Sequence, residues 1–444
     1  MSNERASYNL QAATSIVVAN MIGTGIFVSL GFQLMGIADF ATIILLWLVG
    51  GIIALCGAFS YSELGAAMPE SGGEYHFLSR IYHPALGFMS GWMSSTIGFA
   101  APIAMNAMLF STYFTTVFPQ VPKTHVAISL MVLVTGVHMV SHRTSGRFQV
   151  WLTIFKVVLI LAFIIAGMLG PTIPGISFMP TDVTLSSMLS SPFAVSLVYV
   201  SFAYSGWNAT AYISSEVERP GRNLPLSIIF GTALVMVLYV LLNVVFLKTS
   251  PADELRVGAD FEPKEIGFIA AQHIFNDSIG KILCIVICIF LVSSISSMVI
   301  AGPRVIQAIA RDFKMLSFLG QQDGQRIPRR ALIIQLAISI IIAITGTFDT
   351  VINYTVFCMT FFSVMTVFGV IIYRVKQPGL ARPYKTFLYP LSPIVFILAN
   401  AWFMSFQIVD KPMESLIGIG VIASGLMLYF VSRWVQQRRI HSPH

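Results

Sequence analysis

With 444 residues, 56% of them hydrophobic and only 10% charged, the chain has too little charge to coat a water-soluble body, where about 25% is usual. The solvent this surface needs is lipid, which excludes an ordinary soluble enzyme. The net charge of +7 then reads as basic loops against anionic headgroups, not as a nucleic-acid surface.

In chain order, the polar start lacks a short apolar core followed by a small-residue cleavage site, so no cleaved signal peptide is expected. The stretches 6–38, 40–62, 84–122, 157–181, 183–215, 224–247, 282–303, 331–348, 350–373, 386–409 and 415–432 contain no Asp, Glu, Lys or Arg. A spanning helix needs about 20 apolar residues, so these predict eleven spans, and the more polar 124–142 makes a twelfth. The stretches are too long and too uniformly apolar for barrel strands. The expectation is an all-α polytopic membrane protein with 12 transmembrane helices.

With the N-terminus inside, 19 of the 26 Lys and Arg residues fall on the inner side and six on the outer. Lys156 is left within a span. The inverted arrangement would reverse that bias, so both termini are expected to be cytoplasmic. The longest segments outside the spans lie around 250–277 and 311–330. Both are too short to hold a folded enzyme, so the whole of 1–444 reads as one membrane domain. All four cysteines (Cys56, Cys284, Cys288, Cys358) fall inside spans. No disulfide framework, metal site or cofactor is expected from them.

Two spans carry small polar residues at mid-depth. The first reads Asn20-Met21-Ile22-Gly23-Thr24-Gly25-Ile26-Phe27, and the sixth reads Ser201-Phe202-Ala203-Tyr204-Ser205-Gly206-Trp207-Asn208. Such glycines can serve close helix packing or a break in the helix, and irregular backbone at that depth survives only where it is buried or lines a cavity. Their places, first in two successive sets of five spans, favour broken helices around a transport site.

At these residues the chain resembles the amino acid–polyamine–organocation superfamily, nearest its L-type amino acid transporter branch. Gly23-Thr24-Gly25-Ile26-Phe27 is similar to the family's helix-one signature. Tyr61-Ser62-Glu63-Leu64-Gly65 with Pro69-Glu70-Ser71-Gly72-Gly73-Glu74-Tyr75 resembles the end of helix two and its inner loop. Phe202 to Asn208 with Glu216 and Pro220-Gly221-Arg222-Asn223-Leu224-Pro225 resembles helix six and the loop behind it. Arg382-Pro383-Tyr384-Lys385 with Leu388-Tyr389-Pro390 resembles the loop before helix eleven. The chain departs from the branch at Ser215, where a second glutamate is common, and at Ser205, where glycine or aspartate is. The resemblance implies a leucine-transporter-type core of five plus five inverted helices (about 10–170 and 192–374) with broken helices one and six. Two peripheral helices (about 386–436) complete it, and the implied activity is amino acid transport at the plasma (inner) membrane.

A zwitterion needs both its charges satisfied away from water. Amides at Thr24, Gly25 and Ile26, opening the second half of helix one, would face the carboxylate, with Gly23 and Gly25 allowing close approach. Carbonyls near Asn20, Met21 and Ile22, and at Phe202 and Ala203, would take the ammonium. The resemblance puts Tyr204 and Ser205 in the side-chain pocket. Trp207 could gate or pack, and Asn106 of span three is a buried amide that could reach the site. Glu63 and Glu216 read as residues at span ends. Lys156 lies about two turns inside span five without an adjacent acid; it either snorkels or, as the resemblance implies, stands where sodium-coupled relatives bind an ion.

The leading expectation is therefore a sodium-independent carrier of neutral amino acids, working by exchange or with protons. A cationic amino acid or polyamine carrier is the alternative; it would need an acid deep in a span. A channel would need a filter repeat, and an intramembrane enzyme a catalytic cluster; no catalytic residue is proposed. His138 and His142 read as interfacial. No disulfide-linked heavy chain is expected, since the outer loop 117–125 has no cysteine.

Overall fold

The computed structural model describes residues 8–140, 145–258, 261–320 and 328–441. Arg5, Arg143 and Arg326, among the 19 inner-side basic residues, and His142, read as interfacial, lie outside them. The first half of the chain forms α1 (Leu10–Met21), α2 (Thr24–Gln33), α3 (Phe40–Ala67), the short α4 (Glu74–Ile81), α5 (Pro84–Met93), α6 (Ala100–Val117), α7 (Lys123–Val140) and α8 (Ser145–Leu169). The second half forms α9 (Asp182–Ser187), α10 (Ser191–Tyr204), α11 (Pro220–Thr249), α12 (Ala252–Leu255), α13 (Ile266–Ile274), α14 (Asp277–Asp312), α15 (Arg329–Thr345), α16 (Phe348–Lys376), α17 (Leu391–Asp410) and α18 (Pro412–His441).

Among the described residues, ten helical stretches are long and apolar enough to cross a membrane. The other two expected spans fall short for identifiable reasons. The sixth stops at Tyr204 after 14 residues, then continues only as a 3-10 segment, Ala209–Glu216. The ninth, α15, has 17 residues. The third span is also irregular: a π-turn at Ser94–Gly98 joins α5 to α6, a distortion common at functional sites.

Local chemistry sets many helix ends. Asn9, Asp39, Asn276 and Thr347 each accept a first-turn amide, at 2.9 Å for Ala12, Thr42 and Ile279 and at 3.3 Å for Thr350. Such caps contribute about 0.5–2 kcal/mol each. At the opposite pole of α8, the Lys248 ammonium donates to the carbonyls of Gly167, Met168 and Gly170 at 3.1, 2.5 and 3.1 Å, closing three acceptors the helix leaves open.

The core holds large aromatic side chains, with Trp47, Tyr61, Tyr113, Tyr204 and Tyr239 fully buried. The lipid-facing surfaces of α7, α8, α15 and α18 leave Leu133, Trp151, Ile341 and Phe430 exposed, as a hydrocarbon solvent permits. One end of the bundle is tied by ions. Glu63, buried, lies 2.6 Å from Arg374 and 3.2 Å from Arg382, and also accepts the Thr386 amide and hydroxyl. Glu216 pairs with Arg304 at 3.1 Å, and a short backbone bridge holds Tyr8 beside Val217.

Candidate substrate site

The first apolar stretch is two helices, not one. α1 ends at Met21 and α2 begins at Thr24; Ile22 and Gly23 between them are non-helical. Because the chain before Thr24 is not helical, the amides of Thr24, Gly25 and Ile26 open α2 without carbonyls one turn back, at the positive end of that helix. The sixth stretch breaks likewise. Gly206 has φ +92°, a left-handed conformation glycine adopts without strain, and the chain leaves α10 there.

The two breaks meet. A Cβ placed on Gly206 would lie 3.0 Å from Asn20 Cβ, and one on Gly25 only 2.3 Å from Ala203 Cα. Gly25 is thus filled by the backbone of α10, so close helix approach, not ligand approach, fixes the residue there. Ala203 and Phe202 are buried beside it.

Around the first break the protein spends its own donors on the freed carbonyls. Tyr239 donates to Met21 O at 2.6 Å. The Ser294 hydroxyl lies 3.1 Å from Ala19 O and 2.7 Å from Ile22 O. The fully buried Lys156 ammonium sits 2.8 Å from Ile22 O and 3.3 Å from Ser294 Oγ, with the Phe290 ring 5.7 Å away. Among the described residues Lys156 has no acid beside it; it is met by a carbonyl, a hydroxyl and a ring face. A snorkelling lysine would reach for water, and this one does not.

Two polar atoms at the same break have no partner: Thr24 Oγ1 and Asn106 Oδ1. Asn106 donates through Nδ2 to Pro102 O at 2.7 Å, while its oxygen would be 3.0 Å from a Cβ on Gly23. Span three thus aims an acceptor at the break, beside the opening amides of α2. An unpaired buried polar atom costs about 1–3 kcal/mol, and both atoms are of the kind a zwitterion satisfies.

Two cavities flank the segment from Ser205 to Asn208. One, against span three, is walled by Asn20, Ser94, Pro102, Ser205, Gly206, Asn208, Met298 and Met359, together with Glu74. The other lies towards α3, α16 and α17 and is lined by Phe202, Tyr204, Ser205 and Trp207 with Gly50, Thr360 and Phe396. Tyr204 reaches past that cavity to donate to Trp47 O at 3.0 Å, and Trp207 stands edge-on to Tyr61 at 4.6 Å between ring centroids. Ile26 is buried in the core that also holds Ile22.

Three participants escaped the sequence reading. Ser294 belongs to Ser293-Ser294-Ile295-Ser296-Ser297, a polar run in an apolar span that could have marked it. Tyr239 had no such signal. Glu74, read only as part of an inner loop, turns into the bundle and supplies the acid that the reading of the spans did not find.

Broken helices meeting at mid-bundle, with unpaired polar atoms at the junction and a cavity beside it, are the arrangement expected of a membrane transporter. The chain belongs to the amino acid permease family, whose model matches residues 8–431. It is 29% identical over 450 residues to the large neutral amino acids transporter small subunit 2 of Mus musculus, covering 97% of this chain and 81% of that protein. It is 27% identical to the mouse b(0,+)-type amino acid transporter 1 (95% and 87% covered) and 28% identical to the mouse Asc-type amino acid transporter 1 (95% and 80%). It is an amino acid transporter, not an enzyme.

Proposed function

We propose that the protein carries neutral amino acids across the plasma (inner) membrane by alternating access, without sodium and without a heavy-chain partner. The observation that carries this reading is the first break, where the opening amides of α2 stand beside the unpaired Thr24 Oγ1 and Asn106 Oδ1. The amides suit a carboxylate, and the Asn106 oxygen suits an ammonium. The ammonium of Lys156 on Ile22 O occupies a place a metal cation would otherwise fill, which supports sodium independence. In this reading 10–170 and 192–374 are the two inverted repeats, with both termini cytoplasmic. The cysteines are buried and none falls in 117–125, which leaves no thiol there for a linked partner.

Counterflow by the purified chain in liposomes, with a panel of labelled amino acids, tests the reading. Neutral L-amino acids should exchange without any second polypeptide, and their decarboxylated amines should compete poorly. Amines that displace the label as well as the parent amino acids do would overturn the carboxylate anchor. Activity that requires an added partner would overturn the rest.

A further inference from the structure

Glu74 is not on a spanning helix, yet its side chain is buried in the bundle, 2% exposed. The turn before it explains how. Gly73 has φ +55°, and a Cβ there would sit 2.5 Å from the Tyr212 ring. Only glycine lets the chain pass that close to the 3-10 segment in a left-handed conformation, and the next residue then points inward to the cavity wall.

The surroundings of this carboxyl are unlike those of the other buried acids. The buried Glu63 and Asp349, and the half-buried Glu216, each have a basic partner. Among the described residues, Glu74 has none. Its Oε1 accepts from the Tyr61 hydroxyl, from Ser363 at 3.2 Å and from Asn208 Nδ2 at 3.5 Å. Its Oε2 meets only the Ser90 hydroxyl, at 3.4 Å. The two oxygens suit two protonation states: a crowded acceptor, and a second oxygen beside a hydroxyl that can turn to accept a proton.

Those four partners come from α3, α5, α16 and the break after α10. The one acid in the cavity wall therefore joins the broken sixth helix to three neighbours, and its charge is felt by the element that must move in alternating access. From these contacts we propose that Glu74 is a proton-binding site of the carrier, loaded and unloaded once per cycle, which couples amino acid movement to a proton gradient. The proton comes from water on one side and returns to water on the other.

Burial pushes the carboxyl up from its ordinary range to about 7, with the hydrogen bonds from Tyr61, Ser363, Ser90 and Asn208 holding it from rising further. A proton-carrying site needs such a value near neutrality. The other titratable groups near it are Tyr61 of α3 and Tyr212 of the 3-10 segment, both phenols. From α5 and α16 only the hydroxyls of Ser90 and Ser363 face it. Of the charged groups on α4 and α14, His76 and Arg80 face Glu70, Asp312 accepts from Tyr75, Arg304 pairs with Glu216 and Lys281 with Asp277. His76, pushed down by its burial and up by Glu70, is a rival on α4 itself for a titration near neutrality.

The inference rests on the amino acid carrier reading, and the experiment separates the two. Purified full-length protein in liposomes is given labelled leucine or alanine, first in counterflow and then under an imposed inward proton gradient. Absence of counterflow with every labelled amino acid would count against the carrier reading itself. For the wild type, one pH unit should drive accumulation up to about tenfold for one proton per substrate, with the lumen acidifying during uptake. Glu74→Gln should lose that accumulation, and its residual counterflow should be the same at about pH 5.5 and about pH 7.5. Glu74→Asp should restore a response, with its midpoint moved to lower pH. Wild-type protein that does not accumulate label under the gradient, or a Glu74→Gln protein that still accumulates it, would overturn the proposal. So would loss of the pH response in His76→Gln and not in Glu74→Gln. If Glu74→Gln fails to fold, the midpoint in Glu74→Asp decides: an unmoved midpoint overturns the assignment.

Discussion

The two helix breaks lie against each other but are finished in opposite ways. At the first, freed carbonyls are closed by the protein's own donors: Tyr239 on Met21, Ser294 on Ala19 and Ile22, and Lys156 on Ile22. At the second, the chain from Ser205 to Asn208 borders cavities on both sides, and its polar contact with the rest of the bundle runs through Asn208 to an acid with no cation. One break is pinned by the buried Lys156 side chain on a carbonyl. The other is held by neutral donors whose grip depends on a proton. The contrast teaches that a broken helix can be rigid at one site and adjustable at its neighbour, according to which donors meet it.

The comparison can be broken most severely at Lys156. Its removal should leave carbonyls unpaired at about 1–3 kcal/mol each when buried, so Lys156→Ala is expected to lose flux by at least about tenfold. Lys156→Arg should fail too, because a planar fork cannot replace a compact ammonium; transport at the wild-type rate by either variant would contradict the pin. Next comes Gly206→Ala, which forces a side chain into φ +92° and against Asn20. A cost of roughly 1–2 kcal/mol is expected, read as a lower thermal midpoint in detergent, and an unchanged midpoint would mean that the second break is looser than described.

A smaller effect tests the proton side. Because the Glu74 carboxyl is raised to about 7 from 4.5, the stability it contributes is complete below about pH 4.5 and lost as pH rises through about 7. The wild-type thermal midpoint should therefore fall between about pH 5 and about pH 8 more than that of Glu74→Gln; parallel curves would remove the basis for a titrating group there. The mildest change is Ser294→Ala, since Lys156 still reaches Ile22 O. It should lower flux by a few-fold at most, and a loss as deep as that of Lys156→Ala would move the pin from the lysine to the serine.

How much of this was legible follows from where each signal resides. The breaks could be read because Gly23, Thr24, Gly25, Ser205 and Gly206 interrupt otherwise apolar runs, a local pattern. Lys156 announced itself as an unpaired charge within a span. What paired with it did not, since Ser294 lies 138 residues away in sequence and Tyr239 lies 218 from Met21. Long-range pairing leaves no periodicity. Gly25 looked like a ligand contact because a glycine lets a ligand approach the backbone, whereas its space is taken by Ala203 across the bundle. Glu74 was the largest omission: a loop position gave no hint that Gly73, squeezed against Tyr212, would turn the following side chain inward. The sixth span is shorter as a helix than the apolar stretch 183–215 because the backbone leaves the helix at Gly206.

The central claim is that the Lys156 ammonium takes the place of a metal cation at the first break. Its most direct test is uptake of a labelled neutral amino acid into proteoliposomes with sodium replaced by choline, in the wild type and in Lys156→Ala. Wild-type uptake should be equal in both salts, and the mutant should be folded with much reduced flux in either. Wild-type uptake that collapses in choline, or a mutant that transports as well as its parent, would contradict it.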